Sequence, residues 1–157
     1  MKKFADIAGF VRHLMILQAR EKLALQKGLE KCAAAIEKSA RDELGHYRNE
    51  AGDFPAWPAL APATLAAHNR LGSGDAPMIG AGDLADSIGH SVQGLEAKVG
   101  STSRVMVYQE LGTAKMPPRP LLGPAAIRNR ALIHATLRQA AVEGLLYGSG
   151  VKVADSE

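Results

Sequence analysis

Four prolines within eight residues place the strongest constraint on how this chain folds. They are Pro117, Pro118, Pro120 and Pro124. Proline fixes φ, lacks a backbone N–H and pushes the residue before it toward extended geometry. A helix interior and a central strand are therefore excluded between residues 116 and 120. The sequence predicts a stiff, extended, polyproline-like segment there.

These prolines end a longer stretch, residues 108–124, which we predict to be an interface segment because a stiff segment loses little entropy on docking. Gly112 is predicted to need a positive φ or a close approach of backbone. Arg119, held between two prolines, is predicted to bind a carboxylate in bidentate fashion, with Glu110 of the same or an adjacent subunit as the candidate partner. The predicted interface residues are Glu110, Gly112, Thr113, Pro117, Pro118, Arg119, Pro120, Leu121 and Leu122.

Length and composition predict one domain over residues 1–157. Within it we expect an N-terminal helical region over 1–48, an α+β core over 49–147 and a loose C-terminal tail over 148–157. Hydrophobic residues make up 46% of the chain and aromatic residues only 4%, so we expect a core of aliphatic side chains and alanine.

Residues 1–54 contain no proline and are rich in strong helix formers, which predicts helix, with a bend possible at Gly28. The apolar stripes of this region have two interpretations, packing in the core of the domain or docking on a neighbouring subunit through Phe4 and Phe10. Trp57, bracketed by Pro55 and Pro58, predicts an anchored loop.

Two alternating runs, Ser87–Val92 and Leu95–Gly100, predict a β-hairpin that turns at Gln93–Gly94. The run Ser103–Leu111 is ambiguous between a strand and a short helix, and Pro124–Tyr147 predicts one helix entered through Pro124. The predicted fold class is α+β, a small antiparallel β-sheet packed with a long N-terminal helical region and a C-terminal helix.

No pattern in the sequence points to catalysis. The chain has no nucleophile elbow, no phosphate-binding glycine loop and no His-Glu-x-x-His pattern. Its single cysteine, Cys32, lies on an apolar helical stripe, which favours a buried small hydrophobe over a nucleophile. His46 beside Asp42 and Glu43 suggests either a metal corner or a histidine at a helix end, and the second is favoured. We therefore expect a protein that is not an enzyme, with no catalytic residue, cofactor or metal.

The formal net charge of +3 is too small by itself to indicate nucleic-acid binding. However, residues 111–142 contain no acidic residue. The basic residues there have two interpretations: ordinary solvated helix charge, or a face that meets acidic partners or DNA in a channel without sequence specificity. The candidates for that face are Lys115, Arg128, Arg130 and Arg138.

Two sequence elements resemble a family of small tail-component, or virion-morphogenesis, proteins of tailed phages. The first comprises Tyr108-Gln109-Glu110-Leu111-Gly112-Thr113, Met116-Pro117-Pro118-Arg119-Pro120-Leu121-Leu122 and Pro124-Ala125. Leu111 and Leu121 stand where the family more often has phenylalanine, and Gly123 stands where a charged residue is usual. The second element comprises Trp57, Pro58, Leu60, Pro62, Thr64, Gly82, Leu84, Ser87 and Ile88.

This resemblance implies a structural virion protein that acts in tail completion and head–tail joining as a ring-forming neck subunit. The implied partners are other copies in a homo-oligomeric, hexameric ring, neighbouring neck proteins (head-closure or adaptor, and tail terminator or tail tube), and DNA in the channel. The implied location is the head–tail junction of the virion after synthesis in the bacterial cytoplasm. Since the N-terminus resembles no signal peptide and no apolar run reaches membrane-spanning length, we expect no membrane partner. The alternatives are a tail terminator or head-closure protein of the same neck and, in a different class, a small basic DNA-binding module.

Overall fold

The computed structural model describes residues 6–78 and 83–149. Its helices are α1 (Ile7–Asp42), α2 (Pro62–Arg70), α3 (Asp83–Asp86), α4 (Arg104–Leu111), α5 (Leu122–Arg128) and α6 (Arg130–Ser149). The strands β1 (Ile88–Gln93) and β2 (Glu96–Ser101) form a two-stranded antiparallel sheet between α3 and α4. The predicted α+β class, with its long N-terminal helix, C-terminal helix and small sheet, is confirmed.

The described residues form two compact units. The helical unit contains residues 6–32, the hairpin tip at 92–97 and residues 131–149. The mixed unit contains residues 33–78, 83–91 and 98–130. The prediction of a single domain stays a prediction, and the predicted loose tail lies outside the described residues apart from its first two positions.

Glycines allow close helix packing in the helical unit. A Cβ added at Gly28 of α1 would lie 3.0 Å from the Cβ of Ala140 in α6, and one added at Gly144 would lie 2.7 Å from the Cα of Glu21. Helix α1 runs through Gly28 without interruption, so this glycine marks a close approach of α6 rather than a break in the helix. The prediction that Cys32 is buried is confirmed, and burial raises the pKa of its thiol while a hydrogen bond with Thr136 lowers it.

The core of the mixed unit is built mainly from aliphatic and small side chains around one tryptophan. Its buried residues are Ala40, Trp57, Leu84, Ile88, Met106, Leu121 and Ala125. The indole Nε1 of Trp57 donates a hydrogen bond to the carbonyl oxygen of Pro120 at 2.9 Å. This bond holds the Trp57 loop and confirms the predicted anchoring, since a buried indole N–H needs an acceptor.

The C-terminal prediction of one helix from Pro124 is wrong in its boundaries. The chain forms two helices that are divided at Asn129, whose side-chain Nδ2 donates to the carbonyl oxygen of Ala125 at 2.8 Å. The asparagine side chain competes for a backbone acceptor at the end of α5, which is typical of a helix terminus. The ambiguous run before the interface segment is the helix α4, and the Ser103 hydroxyl caps it by accepting from the Val105 N–H at 3.2 Å.

Candidate interaction site around residues 108–124

Gly112 reverses the chain directly after α4. Its φ is 71°, and an added Cβ would lie 2.9 Å from both the Met116 carbonyl oxygen and the Pro118 nitrogen. The Thr113 N–H donates to the same Met116 oxygen at 2.8 Å and closes a tight turn. Both parts of the Gly112 prediction, a positive φ and a close backbone approach, are confirmed.

Glu110 holds the start of α5 from the end of α4. Its Oε1 accepts hydrogen bonds from the backbone N–H groups of Leu121 at 2.8 Å and Leu122 at 2.7 Å. A carboxylate at the N-terminal end of a helix satisfies otherwise unpaired donors and interacts favourably with the helix dipole. Within the chain, Glu110 therefore stabilises the fold of the segment, and the hypothesised pair with Arg119 is not formed.

Arg119 points into the protein. The residue is 5% exposed, and its Nη2 donates to the carbonyl oxygens of Pro58 at 3.2 Å and Ala59 at 3.3 Å. Its backbone N–H donates to the Gln109 carbonyl oxygen at 2.6 Å. The predicted bidentate contact with a carboxylate is not formed within the described chain, and Arg119 instead donates to two carbonyl oxygens next to Trp57.

The nine predicted interface residues divide into an outer and an inner group. Thr113, Pro117 and Pro118 are exposed, whereas Arg119, Pro120 and Leu121 are buried and the other three are intermediate. Leu111, which precedes this turn, is 77% exposed. Residues 111–118 contain the exposed members of the predicted set, and we call them the turn surface.

The predicted basic face contains one residue with a structural partner. Arg128 binds Glu43 through an Nη1–Oε1 contact of 3.0 Å and donates from Nη2 to the Asn49 carbonyl oxygen at 3.1 Å. Lys115, Arg130 and Arg138 are exposed, the first two in the mixed unit and the third in the helical unit. Arg128 is therefore part of the fold, and the other three remain available to an acidic partner.

An ionic cluster centred on Glu43 is the largest polar feature that sequence reasoning missed. Glu43 is buried, and besides Arg128 it pairs with Arg48 and accepts from the Ser39 hydroxyl at 3.2 Å. The guanidinium of Arg48 lies 5.7 Å from the ring centroid of Trp57, a cation–π arrangement. Burial and the neighbouring Arg128 lower the pKa of Arg48 to about 10, so it stays protonated at neutral pH.

A second missed cluster links α1 to β1 in the mixed unit. Arg41 Nη2 contacts Glu37 Oε1 at 2.7 Å and donates to the Ile88 carbonyl oxygen at 2.6 Å. His90 Nδ1 also contacts the Glu37 carboxylate. The only sequence signal was the i, i+4 spacing of Glu37 and Arg41, which is common on helices and does not identify the strand that they contact.

Among residues 6–78 and 83–149, no group of three or more His, Cys, Asp or Glu side chains is arranged to hold a metal ion. The helices in that part of the chain include none whose length and apolarity would let it cross a membrane. Comparisons with protein-family models, curated proteins and solved structures found no match to this chain.

Proposed function

We propose that this protein is a non-enzymatic structural subunit of a tailed-phage particle, acting in tail completion and head–tail joining as a member of a homo-oligomeric ring. The phage assignment rests on the resemblance of the Trp57 and Tyr108–Ala125 elements. The assembly role rests on apolar surface that the described chain leaves uncovered.

The observation that carries the assembly role is the apolar surface of α1 in the helical unit. Ile7 is 82% exposed and Met15 is 66% exposed. The exposed apolar residues of this helix are Ile7, Phe10, Val11, Leu14, Met15, Ile16 and Leu23. Single exposed apolar side chains are ordinary, but Ile7, Val11, Leu14 and Met15 recur at three- and four-residue spacing along one face of the helix. Such a face marks an interaction surface because its burial in a partner is favourable at ~25 cal/mol per Å².

The turn surface supports the same role from the mixed unit. Leu111, Pro117 and Pro118 are exposed on a backbone that Gly112 and two prolines constrain. A constrained apolar segment loses little conformational entropy when a partner covers it. Glu110 supports this segment from inside the fold and does not itself provide the contact surface.

The proposed partners are other copies of this chain and the neck proteins on either side, a head-closure or adaptor protein and a tail terminator or tail tube. A closed ring of identical subunits uses two different patches on each copy, and a hexamer would match a six-fold tail. The α1 surface and the turn surface provide two such patches. The proposed location is the head–tail junction, after synthesis in the bacterial cytoplasm.

Electron microscopy of lysates from a phage with this reading frame disrupted tests the proposal. We expect filled heads beside separate, unattached tails, with joining restored by supplying the intact gene. Long tails of irregular length would instead favour the tail-terminator alternative, and heads that leak DNA would favour the head-closure alternative. Normal infectious particles would contradict every structural role.

A DNA-binding function is the second candidate, because Lys115, Arg130 and Arg138 are exposed and make no ion pair with any described residue. Binding through phosphates weakens steeply as salt rises. Steep salt dependence for the isolated protein, lost on replacing these three residues by glutamine, would favour this function. Absence of duplex binding at 50 mM salt, about the low end of the usual assay range, would exclude it.

A further inference from the structure

The mixed unit contains a cavity of about 650 Å³ beside Arg119. It lies between the chain at residues 59–68, α4 and residues 115–119, and its apolar walls include Leu60, Leu84 and Met116. This volume falls within the roughly 300–1,000 Å³ that ligand-binding cavities occupy.

Three polar atoms on residues that line this cavity have no hydrogen-bond partner. They are Arg119 Nε, Gln109 Oε1 and His68 Nδ1, and they make up three of the five such buried side-chain atoms in the described chain. The other two belong to Glu43 and Arg48, which pair with each other. Since buried polar groups are nearly always hydrogen-bonded, three unpaired atoms on residues of one cavity show that this region lacks polar partners within the described chain.

The charge at the cavity is also unbalanced. Arg119 is buried, with only 5% of its surface exposed, yet it makes no salt bridge with any described carboxylate. Lys115 lines the same cavity, and no described lining residue is acidic. A buried guanidinium that faces only carbonyl oxygens is costly, and a carboxylate is its strongest available partner.

We infer that this cavity binds an acidic residue of an extended peptide segment. The carboxylate pairs with Arg119, with Lys115 at the rim adding attraction. Apolar neighbours of the acidic residue pack on the walls. Inorganic phosphate would satisfy the charge but has no apolar body for the walls.

The charge and the apolar walls of the cavity indicate that the ligand is an acidic peptide. The source of that peptide rests on the proposed function, under which the peptide belongs to a neighbouring subunit of the particle. Glu110 of another copy is a poor source, because its carboxylate holds the start of α5. Cavity binding and particle assembly can therefore fail independently of each other.

Isothermal titration with the intact protein and blocked tripeptides tests the inference. The probes are acetyl-Leu-Glu-Leu-amide and acetyl-Leu-Gln-Leu-amide. N-acetylglutamate is the third probe and represents a small carboxylate without apolar neighbours. We expect the Glu tripeptide to bind at least about tenfold more tightly than the other two, since it alone offers both the charge and the apolar neighbours. Equal binding of the Gln tripeptide, or no binding of either tripeptide, would overturn the inference, and equal binding of N-acetylglutamate would assign the cavity to small carboxylates instead.

Matched variants on α4 locate the binding. Val105 lines the cavity and is 49% exposed, whereas Val107 is 51% exposed and does not line it. Val105→Trp should fill the entrance and abolish binding of the Glu tripeptide, while Val107→Trp should leave it unchanged. Arg119→Lys, which keeps the charge but removes the planar fork, should weaken binding at least about tenfold. Unchanged affinity in Val105→Trp would show that the tripeptide binds elsewhere.

Discussion

Gly112 combines two constraints that can be measured separately. Gly112 and Gly94 both have positive φ, at 71° and 62°, but a Cβ at Gly94 meets nothing within 4 Å. We expect Gly94→Ala to lower the free energy of unfolding by ~1 kcal/mol through backbone strain alone. Gly112→Ala should lower it by at least ~2 kcal/mol, because its Cβ also collides with the Met116 and Pro118 backbone.

Urea denaturation of the two alanine variants measures these losses. Equal losses in the two variants would show that the contacts around Gly112 relax without cost and that only its φ matters. Gly112→Val should be worse than Gly112→Ala in both stability and assembly.

The carboxylate of Glu110 is predicted to stabilise the fold directly. Glu110→Ala leaves two backbone N–H groups at the start of α5 without an acceptor and should lower the unfolding free energy by ~1–3 kcal/mol. Glu110→Gln keeps an acceptor oxygen and should lose clearly less. Glu50, exposed and outside helices and strands, provides the control, and Glu50→Ala should change stability by less than ~0.5 kcal/mol. If the Gln variant is as unstable as the Ala variant, then charge and not hydrogen bonding is the contribution of Glu110.

At the scale of elements, the Glu43 cluster joins the end of α1 to α5 and the Arg48 loop. Glu43→Gln leaves Arg48 and Arg128 near each other without a counter-charge and should lower the unfolding free energy by ~3 kcal/mol. The solvent-exposed pair Lys38–Asp42 on α1 is the matched control, and Lys38→Met should cost less than ~0.5 kcal/mol. Chemical denaturation monitored by Trp57 fluorescence measures both.

Arg128 distinguishes a structural role from a nucleic-acid role. Since it binds Glu43 and the Asn49 carbonyl, Arg128→Met should destabilise the mixed unit. Unchanged stability together with weaker DNA binding would contradict this assignment and return Arg128 to the predicted basic face.

At the scale of the whole molecule, the exposed apolar surface of α1 predicts self-association. Leu14→Glu places a charge within that surface and should shift the assembled protein toward monomers in size-exclusion chromatography with light scattering. Ala34→Glu adds the same charge at an exposed position of α1 outside that surface, where the residues three and four positions away are all charged, and should leave the mass distribution unchanged. A wild-type protein that remains monomeric at high concentration would contradict self-assembly through α1, and loss of helical content in Leu14→Glu would show that Leu14 serves folding.

The sequence by itself determined the features that depend on near neighbours along the chain. Helical periodicity and the lack of proline predicted α1, and proline chemistry predicted that residues 116–120 are neither helix nor strand. Alternation predicted the hairpin, although its turn lies at Gly94–Leu95, one residue beyond the predicted Gln93–Gly94. The positive φ of Gly112 could also be predicted locally, because the clash that keeps other residues from positive φ is between Cβ and the adjacent backbone.

Only the tertiary structure decided which polar group meets which partner. Arg119 binds carbonyls 60 and 61 residues away, and Arg128 binds a carboxylate 85 residues away. Glu110 binds backbone N–H groups 11 and 12 residues on, and these become its partners only because the Gly112 turn folds α5 back toward α4. Local sequence rules do not state how distant segments pack. The sequence around an arginine therefore does not show whether its side chain binds another protein or a distant segment of its own chain.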